Sequence, residues 1–375
     1  MTLLPGSTIG MLGGGQLGRM FTVAARTLGY RVIVLEPDQH SPAAQLADEH
    51  IIAPYDDAAA LTLFGTACDV VTTEFENIPA ATLDFLAQFC PVRPSAHAVK
   101  MAQDRLVEKE FVRSCGLSPV PFAAIRQPQD IAAAQGSVAY PAILKTARFG
   151  YDGKGQVTVK SAAEAEAAFA ELGEVDCVLE QRVDLQREIS VILARSTNGE
   201  ACCFPVAENE HRHGILHQTI VPARIGTQLA EAAQAAATRM AEQLAFVGVM
   251  AVEFFITKQG ELLVNEMAPR THNSGHYTLD ACLTSQFEQQ VRMVCGLPFG
   301  DARLLSPVVM VNLLGDVWHD AQPDWLALLQ SANTKLHLYG KREARVGRKM
   351  GHYCTLAPGL DAALEEAGHI FQKLQ

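Results

Sequence analysis

The chain has 375 residues, 49% of them hydrophobic and 19% charged, with a formal net charge of −11. That length exceeds one ordinary core and predicts two or three globular domains, while the acidic balance, with no run of Lys and Arg, excludes a nucleic-acid partner held through its phosphates. Nine cysteines, an odd number without C-x-x-C spacing, exclude a zinc site of ordinary ligand spacing and predict reduced, buried thiols.

In chain order, STIGML, the helix LGRMFTVAARTLG, RVIVLEP, an irregular or helical AAQLADE, HIIAP and DVVTTEFE alternate strand and helix patterns. This βαβ order predicts a parallel, doubly wound sheet that ends near the prolines of CPVRPSAHAV. The amphipathic helix QDRLVEKEFVRSCG follows, then strand PAILK, a glycine-rich turn, strand VTVK, helix SAAEAEAAFAELG and strand CVLEQRV. Farther on come the strand-rich stretches REISVILARS and ACCFPVAENEH, the long helix LAEAAQAAATRMAEQLAF, and the strand pair VMAVEFFI and ELLVNEMAP. A mixed tail with VVMVNLL, KLHLYGK and RVGRKMGHYC reads as a small β-rich cap. No apolar run reaches the ~18 residues of a membrane span, and no basic segment leads into an apolar one at the N-terminus, so no membrane partner and a cytoplasmic location are expected.

Three features carry chemistry. GGGQLG, from Gly13 to Gly18, follows a strand and opens a helix, where backbone N–H groups hold phosphates; Glu36 stands where a dinucleotide fold keeps its ribose-binding acid. A dinucleotide, another phosphate ester and a purely structural turn all remain open for that loop. Second, AILKTARFGYDGKGQ sets Lys145 at a strand end beside a mobile loop with Gly150, Gly153 and Gly155, a combination suited to covering a triphosphate, although no Ser or Thr follows Lys154 to complete a P-loop.

Third, Glu253 falls inside the apolar strand MAVEFFI, where an unpaired carboxylate is costly to bury. A hairpin with a two-residue loop at Gln259 and Gly260 sets Glu253 directly opposite Glu266, and opposed like charges repel. A divalent cation held by both, with Asn265 adding an oxygen, removes the conflict; the alternatives are an Arg partner, Arg270 being near, or a register shifted by one.

GGGQLGRM, LKTARFGYDGKGQ, VLEQRV, AVEFF followed by VNEMAPRTHNSGH, and YGKREARVGRKMGH together resemble the N5-carboxyaminoimidazole ribonucleotide synthetases, ATP-grasp enzymes of purine biosynthesis. The resemblance spans nearly the whole chain. It implies an α/β chain with a Rossmann-like (pre-ATP-grasp) domain over 1–98, an ATP-grasp domain over 99–298 with a lid subdomain at about 119–183, and a small C-terminal domain over 299–375. The implied reaction joins bicarbonate to 5-aminoimidazole ribonucleotide at the expense of ATP, through carboxyphosphate, with two Mg²⁺ ions, in a homodimer whose product passes to a mutase.

Carried over by position, the ATP phosphates meet Arg105 and Lys145, and Gly150, Tyr151, Asp152, Gly153, Lys154, Gly155 and Gln156 form the lid loop. Adenine meets Glu180, Gln181, Arg182 and Val183, ribose meets Glu188, and His211 and Asn265 complete the nucleotide site. Glu253 and Glu266 are the implied metal ligands. The ribonucleotide is assigned Gly15, Gln16, Leu17, Glu76, Tyr151, Asn273, Ser274, Lys341 and Arg348, and the catalytic set is Lys154, Arg270, His272, Lys341 and Arg348. Within the same fold the nearest rival is a formate-using ATP-grasp transferase acting on glycinamide ribonucleotide; of other classes are an NAD-dependent oxidoreductase and a nucleotide sensor without catalysis.

Overall fold

The computed structural model describes residues 1–150, 154–318 and 322–374. Tyr151, Asp152 and Gly153 of the expected lid loop lie outside the described residues.

Strands β1 (Thr8–Leu12), β2 (Arg31–Leu35), β3 (Glu49–Ile51) and β4 (Val70–Thr73) form a parallel sheet in the order β3-β2-β1-β4. Their apolar runs are what a parallel sheet covered on both faces requires. Helix Gln16–Thr27 covers one face, and helix Gln286–Val294, arriving from far along the chain, packs behind it, with Leu17 and Phe21 in one cluster with Phe287, Val291 and Val294. The same distant helix lies against the central sheet, so one element braces two layers.

Strands β5 (Phe122–Ile125), β6 (Ala142–Thr146), β7 (Gln156–Val159) and β8 (Cys177–Gln181) form a small antiparallel sheet in the order β5-β8-β6-β7. Its core joins Ile125, Leu144 and Leu179 to Phe169 of helix Ala162–Glu171.

The central antiparallel sheet contains β9 (Leu185–Arg195), β10 (Ala201–Cys203), β11 (Ala207–Arg212), β12 (Ile215–Val221), β13 (Gly248–Thr257), β14 (Leu262–Ala268), β15 (Val308–Leu314), β16 (Thr334–Leu338) and β17 (Lys349–Leu356). Their order is β14-β13-β9-β11-β12-β15-β17-β16, with β10 also on β9. The tail strands therefore extend this sheet, through pairs such as Thr219↔Met310, rather than forming one of their own. ACCFPVAENEH divides into β10 and β11 around Pro205, which has no N–H to give a ladder. The Ala-rich helix Thr227–Gln243 turns Ala233, Ala236, Ala237, Met240 and Ala241 toward Met250, Val252 and Phe254, small side chains letting helix and sheet approach closely.

All nine cysteines are free thiols; Cys202 and Cys203 are half-buried and the rest are buried. Among the described residues no helix is long and apolar enough to cross a membrane.

Candidate active site

The three layers meet at a cavity of about 510 Å³. Its floor is the β13–β14 hairpin, in which Glu253 and Glu266 are direct cross-strand partners. The expected pair is present, but the register reaches it differently. The loop has three residues, Lys258 to Gly260, closed by Thr257 N–H to Glu261 O at 3.0 Å, with Gly260 at φ +83°; near the turn this shifts the pairing to Ile256↔Leu262. A β-bulge then inserts Asn265 opposite no partner and restores Glu253↔Glu266. The bulge also re-aims Asn265, whose amide lies 3.4 Å from Glu253 Oε2.

Burial first, and the Glu266 charge second, push the Glu253 carboxyl up to about 7. For Glu266, burial acts in the same direction but the Arg105 and Lys145 charges override it and hold the carboxyl below its usual range. Two opposed carboxylates, that of Glu253 12% exposed and that of Glu266 40%, beside the Asn265 amide, are a hard-donor set suited to Mg²⁺, and a cation there would relieve the repulsion that raises Glu253.

Helix Arg105–Ser114 clamps the bulge. Asp104 caps it by accepting the N–H groups of Leu106 and Val107, and positions i, i+3 and i+4 then face three successive residues of β14. Lys109 Nζ reaches Asn265 O at 3.5 Å, Arg105 Nη1 meets Glu266 Oε2 at 3.1 Å, and Glu108 accepts the N–H of Met267. Burial, then Glu266, pushes the Glu108 carboxyl up to about 8.

On the lid side, Lys145, Gly150, Lys154 and Gln156 line the cavity. Gly155 lies behind them, giving its carbonyl to the N–H of Thr146. Glu180, expected at adenine, instead holds Lys145 at 2.7 Å and Lys109 at 2.9 Å. Burial opposes ionisation of Glu180, yet the two ammoniums outweigh it and bring the carboxyl down to about 2. Its charge thus positions Lys145. Next along the chain, the N–H groups of Gln181 and Arg182 already bond Pro121 O and Pro141 O, and neither residue nor Val183 is among the cavity-lining residues. Glu188 and His211 do line it, with His211 Nδ1 against Glu188 Oε2 across β9 and β11 at 2.5 Å, a contact that raises the His211 pKa against the effect of burial.

The opening glycine loop differs most from its sequence reading. Gly18 N–H donates to Glu74 Oε2 at 2.7 Å, Gly15 N–H donates to Glu74 Oε1, and Gly14 N–H donates to Glu36 Oε2 at 2.8 Å. The chain's own carboxylates fill the anion cradle at this helix N-terminus. Gly13, at φ +101°, and Gly15 are glycines because a Cβ on either would strike Glu74, in the case of Gly15 at 2.7 Å from Oε1. Glu36 is further held by Tyr55 OH and the N–H of Asp38, which removes it as a ribose-binding acid. Gln16 and Leu17 remain on the cavity wall; Gly15 does not.

Glu76 lines the wall beside Gln16 and pairs with Arg270, tying the first sheet to the loop after β14. Burial disfavours the Glu76 charge, and the Arg270 guanidinium more than offsets it, holding the carboxyl below its ordinary value. His272 and Asn273 line the cavity, whereas Ser274 is fully buried behind them. Burial, then Arg270, holds the His272 imidazole down at about 3, so the ring is neutral. From the tail, the wall receives Lys349; Lys341 donates to the Lys349 carbonyl at 2.8 Å and Arg348 to the Glu343 carbonyl at 2.9 Å, one layer behind.

Family models match in the same order as these layers: a ribonucleotide synthetase preATP-grasp domain over residues 6–103, an ATP-grasp domain over 110–287 and a phosphoribosylaminoimidazole carboxylase C-terminal domain over 308–366. The chain is 47% identical over 359 residues to an N5-carboxyaminoimidazole ribonucleotide synthase of Brucella melitensis, covering 95% of this chain and 98% of that one. It belongs to the N5-carboxyaminoimidazole ribonucleotide synthase family. The Staphylococcus aureus synthetase complexed with ADP superposes with a TM-score of 0.93 at 39% identity, covering 100% of this chain and 98% of that one. The Aspergillus clavatus synthase, in complex with ADP and 5-aminoimidazole ribonucleotide, superposes at 0.91 with 29% identity over 99% of both chains.

Family membership removes the oxidoreductase alternative, which rested on GGGQLG and Glu36. Among the charged residues at the cavity, sequence reasoning did not name Glu74, Glu108 and Lys349, nor Lys109, which reaches Asn265 O from the same helix as Glu108. Glu108 and Lys109 left a signal, since both fall on the buried face of their helix among Leu106, Phe111 and Val112, where a charge needs a partner. Lys349 was hidden beside Arg348, and the strand start that separates them is not legible in GRKMGH.

Proposed function

We propose that the chain catalyses ATP-dependent carboxylation of 5-aminoimidazole ribonucleotide by bicarbonate, giving N5-carboxyaminoimidazole ribonucleotide, ADP and phosphate in purine biosynthesis. The observation that carries this reading is the cross-strand pair Glu253–Glu266, flanked by Arg105 and Lys145 and opening into a cavity that Gln16, Glu76 and Arg270 also line.

Glu253, Glu266 and Asn265 would hold Mg²⁺, which supplies charge neutralisation on the transferring phosphoryl group. Arg105, Lys145 and Lys154 bind the triphosphate, Glu188 and His211 meet the ribose, and the segment Glu180 to Val183 edges the base. A bicarbonate oxygen attacks the γ-phosphorus, the bond to ADP breaks, and carboxyphosphate forms. The exocyclic amine then attacks the carboxyl carbon, phosphate departs with the C–O electron pair, and the nitrogen loses a proton. Arg270 and neutral His272 donate hydrogen bonds to the oxygens on which charge develops. With the Gly14, Gly15 and Gly18 amides filled, the ribonucleotide phosphate falls to the cationic tail of Lys341, Arg348 and Lys349, while Gln16, Leu17, Glu76 and Asn273 border its imidazole and ribose. The loop Gly150–Gln156 excludes water while carboxyphosphate survives.

A homodimer in the cytoplasm, with hand-over of the carbamate to a mutase, completes the reading on the strength of family likeness. It is tested by incubating the protein with ATP, Mg²⁺ and bicarbonate, with and without the ribonucleotide. ADP release that depends on the ribonucleotide and matches fixation of labelled bicarbonate supports it; ribonucleotide-dependent ADP release without fixed label refutes it.

A further inference from the structure

Beneath the cavity floor, polar side chains from four elements cross the central sheet. Ser190 on β9 is the cross-strand partner of Glu253, and Asn209 on β11 is the partner of Thr219 on β12. Ser190, Thr219 and Ser274 are fully buried and Asn209 nearly so, in a place where each polar group must find its match inside the protein. They do so as one chain: Thr219 Oγ1 to Asn209 Oδ1 at 3.1 Å, Asn209 Nδ2 to Ser190 Oγ at 3.0 Å, Ser190 Oγ to Ser274 Oγ at 2.8 Å, and Ser274 Oγ to His272 Nδ1 at 2.9 Å.

Hydroxyls and an amide alone could run this chain in either direction, because each hydroxyl donates and accepts and the amide can turn over. The backbone fixes the direction. The N–H of Ser274, which can only donate, faces His272 Nδ1 at 3.3 Å, so Nδ1 is an acceptor and every donor in the chain points toward the histidine. The ring proton is then on Nε2, which lies 3.6 Å from Glu253 Oε1, beyond hydrogen-bond distance, on a residue that lines the cavity. Gln286 holds the histidine backbone independently, accepting its N–H at 2.9 Å and donating to its carbonyl at 2.8 Å, so that rotation of the main chain cannot undo the arrangement.

We propose that Ser190, Asn209 and Thr219 are positioning residues whose one-way hydrogen-bond chain keeps the His272 proton on Nε2, presenting a fixed donor to an oxygen of the bicarbonate being activated. The inference rests on the carboxylation reading for the identity of the acceptor. The position of the proton does not, because it is set in the protein without substrate. A donor already oriented before reaction costs no reorganisation as charge builds on the oxygen. Reversal of the chain would turn a lone pair toward that oxygen instead.

Asn209→Asp tests the direction, since a carboxylate accepts where the amide donates and so draws the chain backward, moving the proton to Nδ1. Thr219→Ser keeps every donor and is the conservative control. In ¹⁵N-histidine-labelled, ligand-free protein, with His272 assigned by its loss in His272→Gln, we expect Nε2 protonated and Nδ1 bare in the parent and in Thr219→Ser. Asn209→Asp should shift the proton to Nδ1 and lower kcat at least about tenfold while leaving the KM for ATP unchanged. A parent protein with Nδ1 protonated overturns the proposal whether or not any variant folds, and so does an Asn209→Asp protein in which neither the proton nor kcat moves. Failure of the carboxylation reading would register separately, as absence of bicarbonate fixation by the parent enzyme.

Discussion

The carboxyl group of Glu74 caps helix Gln16–Thr27, accepting the Gly18 N–H of its first turn at 2.7 Å from within a buried site. The helix N-terminus that elsewhere attracts a ligand phosphate is satisfied here by the protein's own carboxyl group, whose pKa burial pushes up. Glu74→Ala would leave the N–H groups of Gly15 and Gly18 buried without an acceptor and should lower stability by about 2–4 kcal/mol in urea unfolding. Addition of NAD should not restore it. An unchanged midpoint would show that the cap carries no weight.

Glu180 makes an acid-sensitive joint between the small antiparallel sheet and the helix Arg105–Ser114. Its carboxyl lies at about 2 in the folded protein against 4.5 for an unperturbed glutamate, so it contributes stability that is present above 4.5 and lost as pH falls toward 2. Glu180→Gln should therefore cost about 3 kcal/mol at neutral pH, by stranding Lys109 and Lys145, and should flatten the acid limb of the stability curve. Chemical unfolding across that range reads both effects.

Much of the layout is legible in the sequence because periodicity and local glycine chemistry are local properties. STIGML and RVIVLEP are strands in the structure, and LGRMFTVAARTLG is the helix between them. What is not legible depends on distant partners. Nothing in GGGQLG reports that Glu74, more than fifty residues on, occupies its amides, and nothing in VLEQRV reports that Lys109 shares Glu180 with Lys145. The Glu253–Glu266 pair is instructive in another way. A two-residue loop leads to the right partners, but the molecule uses a three-residue loop and a bulge at Asn265, two departures that cancel at the pair itself. Between the turn and the bulge the register differs by one.

Opposed carboxylates are a liability to the ligand-free fold. Glu253→Gln should raise the Tm of the ligand-free protein, by about 1–2 kcal/mol of relieved repulsion. It should also abolish the further rise that Mg²⁺ and ATP give the parent. A scan with and without Mg-ATP distinguishes this from a structural role, for which Tm would fall in both conditions.

Glu266→Gln should leave the fold intact and reduce kcat by at least about a thousandfold, since it removes the proposed metal ligand and the partner of Arg105 together. Circular dichroism and steady-state ADP release check the two halves. Undiminished turnover would remove Glu266 from the metal site.

The central claim is that ATP activates bicarbonate by phosphorylating one of its oxygens before the ribonucleotide amine attacks. The most direct measurement supplies ¹⁸O-labelled bicarbonate with ATP, Mg²⁺ and 5-aminoimidazole ribonucleotide and reads the released phosphate by mass spectrometry. The account predicts one labelled oxygen in each phosphate formed, with the other two retained in the carbamate. Phosphate that carries no label, formed at the same rate as the carbamate, would contradict it.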